Sequence, residues 1–197
     1  MKKTVAVFMD FANVDASLRG IGQQLDPGEL LNYLADEQEG RVLKAAFAYV
    51  PINPRQEHAQ DEMIEALWQA GYIVKSKVGT IAGESYKCNL DVEMAMDIAR
   101  VAYEIKPDIV VLVSGDSDFL PIVLELRGKG IRVEAAALST AFSSLLASRS
   151  SGCILLDALL PADEHREEMA YEADMSMAEN DAAIPVENED LSNMEQM

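Results

Sequence analysis

Histidine and cysteine are almost missing from this chain. Its 197 residues hold two of each, His58, His165, Cys88 and Cys153. Four such residues scattered along the chain do not give the close ligand pairs of a zinc site. With no export signal, the two cysteines are expected as free thiols. Neither histidine stands in a motif context and there is no G-x-S-x-G, so a Ser-His triad is not expected. A G-x-x-x-x-G-K-[ST] loop is absent. Gly20 and Gly22 lack the third glycine of the dinucleotide fingerprint, Leu25 standing in its place. No apolar run reaches the about 18 residues of a spanning helix, which argues against a membrane partner. The opening Met1-Lys2-Lys3 leads into an apolar stretch that Asp10 soon interrupts. It reads as a strand rather than a signal peptide, and a cytoplasmic location follows as an expectation.

Basic residues are scarce as well: 16 Lys and Arg against 34 Asp and Glu, a net charge of −18. The deficit is uneven. Residues 161–197 carry 12 acids and one base, Arg166, hence −11; residues 1–160 carry the other 22 acids and 15 bases, hence −7. Apolar periodicity fades at the same boundary. The expected organisation is one domain over 1–160 and an acidic, disordered tail over 161–197. An acidic domain is a poor generic binder of polyanions unless bases cluster locally or metal ions offset the acids. Any metal would be a hard ion held by carboxylates.

Apolar residues make up 49% of the chain, enough for a sizeable core. Strands are expected at residues 4–11, 42–50, 72–78, 109–113, 131–137 and 153–156, each β-branched or apolar. Between them lie helical segments. Asp26-Pro27-Gly28-Glu29 combines an N-cap acid, Pro at the first helical position and Glu two residues on, ahead of Leu30, Leu31 and Leu34. Residues 56–70 place Met63, Ile64, Leu67 and Trp68 on one stripe, which reads Trp68 as core. Strand 72–78 turns Lys75 and Lys77 outwards, and residues 79–89 read as a glycine-containing loop. A helix starting at Asn89 or Asp91 is read with Val92, Met96, Ala99 and Tyr103 on its buried side. Ser139 or Thr140 is the expected cap of a helix over 142–147. The alternation predicts an α/β fold, a three-layer α/β/α sandwich with a mostly parallel central sheet.

The run Ile109 to Val113 breaks at Ser114-Gly115 into Asp116-Ser117-Asp118-Phe119, so two acids stand where a strand's carboxyl end turns into a helix. Helix capping would explain one acid. The first strand also ends on an acid, Asp10. If these two strands are neighbours at the switch point of a doubly wound sheet, the acids meet across one crevice. Asp91, opening the preceding helix, is a further candidate. Three or four acids together need a divalent cation or protonation to relieve them. Mg2+ or Mn2+ fits, and supports phosphoryl chemistry. Asn13 is read as a hydrogen-bond partner of a carboxylate or of substrate, or else as a turn former. Lys87 is read as a phosphate contact or a solvated loop lysine. Asp97 lies six residues after Asp91, about 240° round a helix, so it is expected off that face as a surface or supporting acid.

Three segments in order resemble the NYN domain. Asp10-Phe11-Ala12-Asn13 resembles its D-x-x-N opening. Lys87 to Asp97, with Asn89-Leu90-Asp91-Val92, resembles its K-G-V-D-V helix start, the lysine standing one residue further from the acid. Ser114-Gly115-Asp116-Ser117-Asp118-Phe119 matches its S-G-D-x-D-F signature. The chain is similar to the LabA-like branch, within the PIN-like nuclease superfamily, over residues 4–157. The resemblance implies a PIN-like fold and a metal-dependent ribonuclease. Asp10, Asp91, Asp116 and Asp118 would be its catalytic, metal-binding acids with Mg2+ or Mn2+, Asn13 and Lys87 its substrate groups, and RNA its substrate. Arg19, Arg55, Lys75, Lys77 and Lys87 would have to line the groove. Two other readings remain: a non-catalytic regulatory or nucleic-acid-binding module that keeps the fold, and a different phosphoryl-transfer enzyme with a phosphate pocket near Gly115.

Overall fold

A computed structural model describes residues 2–161; the acidic tail, apart from its first residue, lies outside the described residues. In chain order the elements are β1 (Lys3–Asp10), α1 (Phe11–Gly20), α2 (Pro27–Leu34), β2 (Arg41–Ile52), α3 (Asp61–Ala70), β3 (Ile73–Val78), β4 (Thr80–Ala82), β5 (Ser85–Lys87), α4 (Asp91–Glu104), β6 (Ile109–Val113), α5 (Leu120–Gly128), β7 (Arg132–Ala137), α6 (Ser144–Arg149) and β8 (Gly152–Leu155). Among the described residues no helix is long and apolar enough to cross a membrane.

Six strands form one parallel sheet in the order β3-β2-β1-β6-β7-β8. The central strands β1 and β6 are nearly continuous apolar runs because both their faces are covered. Alternation along β1 sends Val5, Val7 and Met9 into a core with α1, α2 and α3. It sends Ala6 and Phe8 into a second core with α4 and α5. These are the three layers of an α/β/α sandwich. The strand order reverses at β1, so the β1–β6 boundary is the switch point. One charged residue of β7, Glu134, is buried. It accepts hydrogen bonds from Arg41 Nη1 at 2.8 Å and Arg132 Nε at 2.7 Å.

Several local expectations are corrected. The first strand, expected over 4–11, stops at Asp10, and a ten-residue helix, α1, begins at Phe11. Its signal is Phe11, Val14 and Leu18, an i, i+3, i+7 stripe that is buried. The helix 56–70 begins only at Asp61, and its inner face centres on Leu67; Trp68, one step of 100° round, is 57% exposed. Helix α4 buries Met94, Asp97, Ile98, Val101 and Ala102 and leaves Met96 69% exposed, with Val92 and Tyr103 exposed beside it. Both stripes are apolar at helical spacing, and only tertiary packing chooses between them. Residues 80–87 form an antiparallel hairpin, turning at Gly83 with φ +63°, where a left-handed residue suits glycine. Helix α6 is capped by Ser143, whose Oγ accepts from Leu146 N at 3.4 Å, while Ser139 and Thr140 sit in a short 3-10 turn. The cap expected for α2 is as read: Asp26 Oδ1 accepts from the N–H groups of Gly28 and Glu29 at 2.8 and 2.9 Å.

Candidate metal centre at the carboxyl edge of the sheet

The β1–β6 register pairs Met9 with Val113, so the residues that follow, Asp10 and Ser114, leave the sheet side by side. Asp10 has two local duties. One oxygen caps α1, accepting from Asn13 N at 3.2 Å; the other accepts from Ser114 Oγ at 3.2 Å. Ser114 is fully buried, and its Oγ also accepts from Asp116 N at 3.2 Å, which links the two acids through one hydroxyl. Asn13 Oδ1 accepts from Gly115 N at 2.9 Å, tying α1 to the turn after β6.

Gly115 is required by a close approach. A Cβ there would lie 2.0 Å from Ala141 O, and Gly115 O accepts from Ser143 N at 3.0 Å. Asp116 caps the short turn Ser117–Phe119 by accepting from Asp118 N at 2.9 Å. The capping expectation and the cluster expectation therefore both describe it. Asp91 opens α4, where Asn89 Oδ1 accepts from its N–H at 2.9 Å and Asn89 Nδ2 donates to its carboxylate at 2.5 Å.

One carboxylate oxygen from each of Asp91, Asp116 and Asp118 lies within 4.8 Å of the others. Asp10 is outside this trio but lines the same cleft, of about 270 Å3, with Asp91 and Asp116. Burial, and then the charges of Asp91 and Asp116, raise the Asp10 carboxyl above its ordinary value against the lowering by the Asn13 N–H and Ser114. Among the described residues no Lys or Arg forms an ion pair with any of the four acids. The donor set is all oxygen, which suits a hard divalent ion. The one thiol in the cleft, Cys88 Sγ, is already directed at Lys77 O at 3.2 Å.

The bases expected along the groove divide. Arg19 is at the far end of α1, paired with Asp15 at 2.7 Å, and does not line the cleft. Lys75 is tied to Asp97 rather than turned to solvent. Lys77 meets Glu93 at 2.5 Å and Asn89 O at 3.0 Å. Arg55 donates to Glu84 O and, at 2.5 Å, to Gly83 O, at the tip of the hairpin. Lys87 is exposed on β5. Asn13 spends its carbonyl on Gly115 rather than leaving it for substrate.

Asp97 stays away from the trio and is buried, holding Tyr49 Oη at 2.8 Å, Arg100 Nη2 at 2.7 Å and Lys75. Burial pushes its carboxyl up, but the hydrogen bonds from Lys75 and Tyr49 outweigh this and leave it lowered. Tyr49, paired with Asp10 across β1 and β2, forms part of the cleft wall. Tyr49 was not singled out from sequence. Ser114 and Asn89 stand inside the acid motifs, Asn89 also as a possible helix start, but neither was read as holding an acid in place. A larger cavity, about 560 Å3, lies on the opposite face of the sheet, over Met9, Val14, Leu30 and Leu67, and holds none of the four acids.

A family model for the NYN domain matches residues 4–157. The chain is 30% identical over 132 residues to the Low amplitude and bright protein LabA of Synechococcus elongatus, spanning 64% of this chain and 68% of that protein. It is 29% identical over 90 residues to the Uncharacterized protein MJ0482 of Methanocaldococcus jannaschii, spanning 46% of this chain and 34% of that one. Its fold matches the crystal structure of a protein of unknown function, VPA0982, from Vibrio parahaemolyticus, with a TM-score of 0.68, 23% identity, and 79% and 94% of the two chains covered.

Proposed function

Since the chain belongs to the NYN domain family, within the PIN-like nuclease superfamily, we propose that it is a metal-dependent ribonuclease hydrolysing RNA phosphodiesters in this cleft. The observation that carries the reading is the trio Asp91, Asp116 and Asp118, with oxygens within 4.8 Å of one another and no basic partner among the described residues. Like charges this close are held together by the fold, and a divalent cation is what they would accept. Mg2+ or Mn2+ there would make water a nucleophile at neutral pH and offset the charge gathering on phosphorus. Asp91, Asp116 and Asp118 would hold the ion. Asp10, fixed by the Asn13 N–H and by Ser114 Oγ, would close the cleft wall and keep its field negative. Water attacks phosphorus, the ester P–O bond breaks, and the departing oxygen takes a proton. This chemistry would belong to residues 1–160, the domain expected from sequence.

The test is cleavage of labelled single-stranded and structured RNAs with Mn2+, with Mg2+ and with EDTA, by wild type and Asp116→Asn. Metal-dependent cutting lost in the variant is expected. A second reading, a non-catalytic regulatory or nucleic-acid-binding module, is favoured by the net charge of −7 over residues 1–160. It predicts metal binding without cleavage on every substrate.

A further inference from the structure

Many Lys and Arg residues of the described chain lie at one or the other edge of the sheet. Arg41 and Arg132 begin β2 and β7, Lys106 and Lys129 sit in the turns feeding β6 and β7, and Arg127 and Arg149 lie in the last turns of α5 and α6. All six are at the amino edge, away from the acids. At the carboxyl edge Arg55, Lys77 and Lys87 lie on or against the β4–β5 hairpin, while Lys75, level with Asp10 in the register, is committed to Asp97. On the other flank of the acids, no Lys or Arg occurs from Val133 to Ser148 or from Ser150 to Pro161.

The hairpin is placed for use. Gly79, at its base, donates to Ile52 O at 2.9 Å, and a Cβ there would lie 2.6 Å from the Tyr86 ring, so hairpin and strand end are packed without slack. Arg55 grips the two carbonyls of its tip. Its outgoing strand runs straight into Cys88, Asn89 and Asp91 of the cleft wall. The Lys87 ammonium has no partner among the described residues. Val78, next after Lys77, and Ile81, paired with the Tyr86 that precedes Lys87, are 56% and 55% exposed and add apolar surface to the hairpin and its base.

Resting on the ribonuclease reading, we propose that the β4–β5 hairpin is the track along which one unpaired strand enters the acid cleft, its phosphates on Lys87 and Lys77 and its bases against Val78 and Ile81. The substrate class is therefore single-stranded. A duplex would set its second backbone over the flank that has no base, where nothing neutralises it. An unpaired strand needs neutralising on one side only, and its unstacked bases can use apolar surface.

The experiment is fluorescence anisotropy of a labelled 12-nucleotide oligouridylate, and of a duplex of the same length, on the full chain with Ca2+ from 50 to 200 mM KCl. Mn2+-dependent cleavage is followed in parallel. Lys87→Gln is compared with Lys129→Gln, an exposed lysine at the amino edge. Lys87→Gln is expected to weaken single-strand binding about fivefold and to reduce the slope of log K against log salt by about 0.7, the value of one single-strand phosphate contact. Lys129→Gln is expected to match wild type, and the duplex to bind at least tenfold more weakly than the single strand. If wild type cleaves RNA but Lys87→Gln behaves as Lys129→Gln, or the duplex binds as tightly, the hairpin assignment is wrong and the nuclease stands. If wild type neither binds nor cleaves any RNA with any metal, the ribonuclease reading fails and takes this one with it.

Discussion

Removing one acid from the trio should make the metal-free protein more stable. At an effective dielectric of about 20, two unit charges near 4.8 Å repel by roughly 3.5 kcal/mol. Asp91 and Asp116 are half-buried and Asp118 is exposed, so solvent screening leaves on the order of 1 kcal/mol per pair. Asp116 faces Asp91 and Asp118, and its charge also reaches Asp10. Asp116→Asn keeps the Oδ1 that accepts from Asp118 N, so the cap survives while the repulsion goes. The net gain is about 2 kcal/mol, or about 4–8 °C in Tm for a chain of this size. Metal acts in the opposite sense. At 100 times its Kd, a bound ion stabilises wild type by about 2.7 kcal/mol, and the variant should gain little of this. Calorimetry in EDTA and in MnCl2 reads both effects, and added salt should shrink the difference seen in EDTA. A variant that melts at or below wild type in EDTA, or that keeps the full Mn2+ shift, would refute the account of the trio as mutually repelling ligands.

Other outcomes follow from individual contacts. Gly115→Ala should cost about 1–3 kcal/mol, because the new Cβ meets the Ala141 carbonyl at 2.0 Å, and thermal melts check it. Asn13→Ala should cost about 1–3 kcal/mol by leaving the buried Gly115 N–H without its acceptor; amide exchange at Gly115 should accelerate measurably. Burial raises the Glu134 carboxyl, but hydrogen bonds from Arg41 and Arg132 outweigh it and leave it lowered; its stabilisation is present above the ordinary 4.5 and lost as pH falls through the lowered value. Denaturant melts of Glu134→Gln should lose that acid-side dependence. Asp10 works in the reverse direction. Its raised carboxyl gives stability that is full below 3.8 and lost as pH rises through the folded value. In EDTA this decline should disappear in Asp10→Asn.

The sheet was legible because β1 and β6 are short, nearly uninterrupted apolar runs, and because each leads into an acid that only a neighbouring pair of strands could use jointly. The topology bears out that neighbourhood. What sequence misread was which face of an element turns inward. Val92 and Met96 make as good a stripe as Met94 and Ile98, and the choice rests on the sheet beneath, which no local period encodes. Trp68 adjoins Leu67 on the same helix and was misplaced by one step. The hairpin hid because three-residue strands carry too little alternation to register. Asp97 was correctly kept off the trio by its helical phase. Its burial followed from Lys75, Tyr49 and Arg100, partners that come from three different elements.

The ties between Asp10 and Ser114 and between Asn13 and Gly115 close loops of 104 and 102 residues. Joining ends so far apart is slow, and no shorter piece of the chain contains both sides of the cleft. A chain that has formed β1 and α1 alone has Asp10 in place but none of Asp91, Asp116 and Asp118, the acids that would hold an ion. Asp91 at the start of α4 and Asp116 and Asp118 after β6 meet only once α4 and β6 have packed with β1 in their shared core, so any ion affinity would arise late. A cation should accordingly leave the refolding rate nearly untouched and act on the escape from the native state, lengthening its lifetime in proportion to the stability it adds. Stopped-flow unfolding with and without Mn2+ would show that asymmetry as a shift of one chevron limb only.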